Sequence, residues 1–186
     1  VIRGMADTGD NRGTMSFDYD NDGDLDVLVI NHGEAPALYR NDGGNYYDYL
    51  RVKAFERNGR ESIGAKVYLL LKDPGTHDED GEQETFVPRG VELMQEIGSS
   101  AAFLGQTEAT AHFGLGKEVA GDSTIFRVRV EWPPVANVDD DSLAEAEKAI
   151  IFNVQRRTTL VVTRGDGGPN GEVDFSIDGA DVPTCA

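Results

Sequence analysis

The stretch "FDYDNDGDLDVLVI", Phe17 to Ile30, restricts this chain more than any other. It sets Asp18, Asp20, Asp22, Asp24 and Asp26 at every second position, ahead of an apolar run. Carboxylates this close raise one another's energy unless a cation offsets them. The residues Asp18, Asp20, Asp22, Gly23 and Asp26 fit D-x-D-x-D-G-x-x-D. In a tightly turning loop, side chains at positions one, three and five converge on one point. Glycine at position six permits the sharp turn that aims the backbone carbonyl of position seven, Asp24, at that point. The acid at position nine closes the shell. Six to eight oxygens at ~2.3–2.6 Å in irregular geometry suit calcium better than magnesium. The expected metal ligands are therefore Asp18, Asp20, Asp22, Asp24 and Asp26, and the expected cofactor is Ca2+. The plainer alternative is a solvated acidic turn.

An EF-hand needs a helix on each side and a glutamate at position twelve. Position twelve here is Val29, and the flank "LDVLVI" reads as a strand. The loop is expected between strands.

The remainder of the chain is punctuated by Gly, Asn and Asp between short β-like runs. These runs are 25–31, 49–55, 65–71, 84–87, 91–97, 109–113, 125–131, 150–154 and 159–163. In "IFRVRVEW", Phe126, Val128, Val130 and Trp132 alternate with Arg127, Arg129 and Glu131, the period of a half-buried strand. One stretch, "DDDSLAEAEKA", carries helix signals: Ser142 and Glu145 form a capping box, and Lys148 stands near the end. The chain is expected to be all-β with at most one short helix.

The net charge of −17, from 34 acidic against 17 basic residues, argues against nucleic acid and anionic membranes as partners. It suits cation binding and an extracellular or salty setting. The single cysteine, Cys185, excludes an internal disulfide. No apolar run reaches the ~20 residues of a membrane-spanning helix, so no transmembrane segment is expected. The chain begins at Val1 rather than methionine, as a processed form or a fragment would.

Two resemblances organise the chain. "GTMSFDYDNDGDLDVLVINHG" followed by "ALYRNDGG" resembles one FG-GAP (VCBS-type) repeat, the calcium-loop blade of integrin-like propellers. The resemblance implies a structural calcium ion. The segments "YLRVKAFERNGRESIGAKVYL", "MQEIGSSAAFLGQTEATAHFGLG", "VRVEWP" and "TTLVVTRG" resemble the ASPIC/UnbV domain, which follows such repeats in secreted cartilage-acidic-protein-like sequences. The implied organisation is a calcium repeat over 1–48, an ASPIC/UnbV-like β domain over 49–165 with an acidic insertion at 72–84, and a Gly/Pro hinge plus C-terminal strand over 166–186. The implied architecture is a β-sandwich or barrel-like domain packed with a single calcium-loop β-hairpin. A propeller needs several blades and a lone hairpin is marginal in water, so the repeat is expected to pack onto the ASPIC/UnbV-like domain, belong to a truncated propeller, or complete its sheet from another molecule.

Other motifs carry less. Gly114, Gly116 and Lys117 lack the G-x-x-x-x-G-K-[ST] pattern of a phosphate loop. His32, His77 and His112 are scattered, and His112 reads as a packed histidine. Around His77, Asp78, Glu79 and Asp80 a solvated insertion is favoured over a second calcium site. Arg164, Gly165 and Asp166 spell an adhesion tripeptide, a triplet that also occurs by chance. Trp132 reads as a core residue, with a sugar platform as the other reading.

No nucleophile–base pair is legible, so an enzyme is not expected. The expected function is a secreted or cell-surface, calcium-stabilised structural or adhesive module acting through protein–protein contacts. Self-assembly into a homo-oligomer or homopolymer would use the alternating strand at 172–179 as a donor to a neighbour's sheet. The alternative is a calcium-dependent carbohydrate-binding domain using Tyr46, Tyr47, Tyr49 and Trp132. A glycan or a cell-surface protein is the corresponding partner.

Overall fold

The computed structural model describes residues 8–71, 92–98, 106–116, 124–134, 147–165, 174–177 and 180–181. They form twelve strands and one 3-10 turn: β1 (Asn11–Phe17), β2 (Asp26–Asn31), β3 (Ala37–Tyr39), the turn Gly44–Tyr46, β4 (Asp48–Phe55), β5 (Lys66–Leu70), β6 (Glu92–Glu96), β7 (Ala111–Gly116), β8 (Thr124–Glu131), β9 (Lys148–Gln155), β10 (Thr158–Thr163), β11 (Asp174–Ile177) and β12 (Ala180–Asp181).

The strands divide among three open sheets. The N-terminal sheet has order β1-β2-β3, a second β12-β11-β10-β4-β7, and a third β6-β5-β8-β9. The β-rich character expected from the sequence holds. The barrel-like closure does not, because among the described residues no sheet closes on itself. The physical reason is visible where the edges of the two larger sheets meet. Between β6 and β7 the carboxamide of Gln95 does the work of a backbone ladder. Its Nε2 donates to the His112 carbonyl at 2.6 Å, and its Oε1 accepts from the His112 N–H at 2.9 Å. A side chain joins the edges at one residue, and the ladder stops there. The single hairpin is also corrected: β1 and β2 carry a third strand, β3, paired at Val27↔Tyr39, Leu28↔Leu38 and Val29↔Ala37. The segment with the capping box lies outside the described residues except for its end, and Lys148 opens β9 rather than ending a helix. The 84–87 run also lies outside them.

The core forms because strands alternate. On β4, Leu50, Val52 and Ala54 are buried against Val67 and Leu69 of β5, Val128 and Val130 of β8, and Leu160 and Val162 of β10 in one cluster. Burying each of these valine and leucine side chains contributes about 1.5–3 kcal/mol. Trp132 is the largest fully buried side chain, and its Nε1 donates to the Phe55 carbonyl at 3.1 Å. It is a core residue and offers no face to a sugar.

Period two also decides what faces away from the core. On β4 that face carries Tyr49, Arg51 and Lys53. On β7, which pairs with β4 at Arg51↔His112, it carries His112. This outer face receives the acid loop.

The strand expected as a donor pairs within its own chain. β11 runs antiparallel to β10, from Leu160↔Ile177 to Thr163↔Asp174, and β10 in turn lies parallel to β4.

Candidate metal centre and its dock

The acid loop joins β1 to β2, with Phe17 opposite Asp26 at its neck. Two residues in it adopt the left-handed backbone, Asn21 at φ 59° and Gly23 at φ 95°. Glycine is required at Gly23 for a second reason. A Cβ there would lie 2.0 Å from Cε1 of Tyr49, so the backbone rests directly on that ring.

The loop's own carboxylates tie its backbone. Asp18 accepts from the N–H of Asp22 on Oδ1 and of Gly23 on Oδ2, each at 3.1 Å. Asp22 Oδ1 accepts from the Asp24 N–H at 3.1 Å. Asp26 is fully buried; its Oδ2 accepts from the Tyr19 N–H and its Oδ1 from the Asn41 N–H, both at 2.8 Å. It fastens the loop to the segment that follows β3.

Of the five expected ligands, Asp18, Asp20 and Asp22 converge: each offers a carboxylate oxygen within 4.8 Å of the others. Oxygens sharing a calcium ion at ~2.3–2.6 Å can be no more than roughly 5 Å apart, so these three fit one ion. Asp24 and Asp26 do not join this group of carboxylates. Asp20 reports the crowding. Loss of surrounding water, then the charges of Asp22 and Asp26, hold its carboxyl above the ordinary value.

The sequence reading missed Arg51. Its buried guanidinium forks: Nη1 donates to Asp18 Oδ2 at 2.7 Å, and Nη2 donates to both oxygens of Glu108 at 2.8 and 2.9 Å. Lys53 Nζ adds a contact to Glu108 at 3.0 Å. Burial pushes the Glu108 carboxyl up, but Lys53 and Arg51 outweigh it and hold the group below its ordinary value. The signal was present in "YLRVKAF", where the residues alternating with the core include two cations. Beside Arg51, the rings of Tyr49 and His112 stack at 6.1 Å with planes 9° apart. Burial, then the Arg51 charge, lower the His112 pKa.

A cleft of about 570 Å³ opens beside this dock, lined by Ser16 and Leu25 on the loop side and by Met94, Gln95, Glu108 and His112 on the domain side. Tyr46 and Tyr47 are exposed at the rim of the 3-10 turn, 75% and 47% respectively.

The arginine of the adhesion triplet is not displayed. Arg164 is buried, and its guanidinium donates to Glu56 Oε2 and Glu147 Oε2, each at 3.0 Å. Arg57 Nη2 completes the network on Glu147 at 2.7 and 2.8 Å. Gly114 and Gly116 lie within β7. His77, Asp78, Glu79, Asp80, Asp166 and Cys185 lie outside the described residues. Among the described residues, no helix is long and apolar enough to cross a membrane.

The family model described as ASPIC and UnbV matches residues 55–167, more than half of the chain. Cartilage acidic protein 1 of Homo sapiens is 33% identical over 129 residues, covering 67% of this chain and 16% of that protein. The Mus musculus protein of the same name is 30% identical over 147 residues, 77% of this chain and 19% of that protein. The Xenopus tropicalis protein is 32% identical over 157 residues, 81% and 21%. The chain thus spans about a fifth or less of the length of these relatives.

Proposed function

We propose a structural, calcium-stabilised role for this chain, which belongs to the ASPIC and UnbV family. It acts as an extracellular, non-enzymatic module that works through protein–protein contacts. Family membership and the similarity to cartilage acidic protein 1 support the class and the location. The observation that carries the calcium reading is the convergence of Asp18, Asp20 and Asp22. In it these three supply carboxylates, Asp24 supplies its backbone carbonyl, and Asp26 braces the turn.

The N-terminal segment is read as a calcium repeat of FG-GAP (VCBS) type. Its dock supports this reading: the repeat rests on the outer face of β4 and β7 through Gly23 on Tyr49 and Asp18 on Arg51. Bound calcium would offset the carboxylates and stiffen the turn that holds the sheet on the domain.

Self-assembly by strand donation is the weaker extension. A donor at 172–179 would have to leave β10 of its own chain and reproduce the register Leu160↔Ile177 on a neighbour. Carbohydrate binding loses Trp132 to the core and retains the exposed Tyr46 and Tyr47. Isothermal titration of calcium tests the metal reading: one ion bound by the wild type, and none by Asp20→Asn/Asp22→Asn, is expected. Light scattering in calcium and in chelator tests the contact role. Calcium-dependent association supports homotypic contact, and an unchanged monomer overturns it. Glycan binding abolished by chelator would favour the carbohydrate reading instead.

A further inference from the structure

The geometry points to Arg51 as a built-in counter-cation that keeps the acid loop docked on β4 and β7 when no metal ion is bound. This deepens the calcium reading and rests on it.

The Asp18 side chain is closed to water at 0% exposure, and the nearest cation is Arg51 at 2.7 Å, itself 7% exposed. A buried carboxylate beside two others needs compensation within the fold. Arg40 does not supply it. Its guanidinium is 57% exposed, 4.0 Å from Asp20, and bound to Asp42 at 2.7 Å. Arg51 is held to the domain at its far end by Glu108, so the pair links the loop to the segment that leads into β7. The planar fork matters, because a lysine ammonium is a single point that cannot span both carboxylates in this way. Tyr49, two residues away on the same strand face, carries the packing half of the contact against Gly23.

Calcium and Arg51 act on the same acid cluster. With Arg51 present, the loop is held with or without metal, and calcium adds to a dock already formed. Without it, only a divalent ion can offset Asp18 and its neighbours. Removing Arg51 therefore makes docking calcium-dependent, by linkage between metal binding and the docked state.

The test is amide hydrogen exchange on the full chain, wild type and Arg51→Met, in excess calcium and in chelator. The readout is protection of β2 relative to the core amides of Leu160 and Val162. In chelator, Arg51→Met is expected to lose protection in β2 while the core keeps it, and calcium restores it. The calcium-to-chelator ratio of protection should exceed that of the wild type by roughly tenfold. Arg51→Lys, which keeps the charge without the fork, should fall between. Equal ratios in wild type and Arg51→Met, with calcium acting on both, would overturn the role of Arg51 and leave the calcium reading standing. No calcium effect on either protein overturns both. Should Arg51→Met fail to fold, Glu108→Gln loosens the far end of the fork and is expected to raise the ratio less. An unchanged ratio there overturns the inference.

Discussion

Arg51 Nη1 lies 2.7 Å from Asp18 Oδ2, and this buried contact joins the N-terminal acid loop to β4 of the five-stranded sheet. Substitutions at this junction are therefore expected to read on both the loop and β4.

Gly23 is the position where space and backbone agree. Gly23→Ala places a methyl 2.0 Å from the Tyr49 ring at φ 95°. The left-handed backbone costs a side chain about 1–2 kcal/mol, and overpacking adds about 1–3 kcal/mol. Denaturant unfolding should show a loss of roughly 3 kcal/mol. A loss below about 0.5 kcal/mol, the scale of an ordinary surface substitution, would mean that the loop does not rest on Tyr49.

Arg164→Met should be costly although it lies in a Gly-rich stretch. The change leaves Glu56 and Glu147 without their shared partner. Breaking a buried pair costs about 3–5 kcal/mol, and the partial exposure of both glutamates puts the expected loss near the lower end. Cell attachment mediated by this triplet in the folded protein would contradict the burial of Arg164.

Trp132→Ala should lower stability by about 3–5 kcal/mol through the cavity it leaves. Any glycan binding by the folded chain should survive the milder Trp132→Phe, because the ring faces the core. Selective loss of glycan binding in Trp132→Phe, at unchanged stability, would count against this placement.

Acid should destabilise the fold in two stages. His112 is held below its ordinary 6.5 by burial and then by Arg51, so the unfolded chain takes up this proton more readily. Its contribution is complete above pH 6.5 and falls as pH drops through that value. Glu147 is held below its ordinary 4.5, first by the hydrogen bond from Arg164, and Glu108 lies below 4.5 as well. Their contribution is present above 4.5 and lost as pH falls further, through the lowered folded values. Melting temperatures in chelator should fall in both windows, and His112→Gln should flatten the upper one alone.

Much of the strand inventory was legible because buried positions alternate. "YLRVKAF", "KVYLL" and "TTLVV" announce β4, β5 and β10 through apolar spacing. β1 was missed because "NRGTMSF" holds apolar residues only at Met15 and Phe17, and β3 because it is three residues long. The parallel pairing of β10 with β4 joins Leu50 to Thr158, far apart in the chain, and local pattern carries no record of it. The acid loop was legible as a unit, but not the division of labour within it. Asp26 sits in register with the other acids yet stays outside their cluster and braces the N–H groups of Tyr19 and Asn41, a tie that depends on where Asn41 comes to lie.

The central claim is that Asp18, Asp20 and Asp22 hold calcium in the folded chain. Thermal unfolding in calcium and in chelator, for the wild type and for Asp20→Asn/Asp22→Asn, tests it most directly. A ligand that binds only the folded form stabilises it by about 2.7 kcal/mol at a hundredfold excess over Kd. The wild type should melt several degrees higher in calcium, and the double variant should melt at one temperature in both. Superimposable wild-type curves in calcium and chelator would contradict the account.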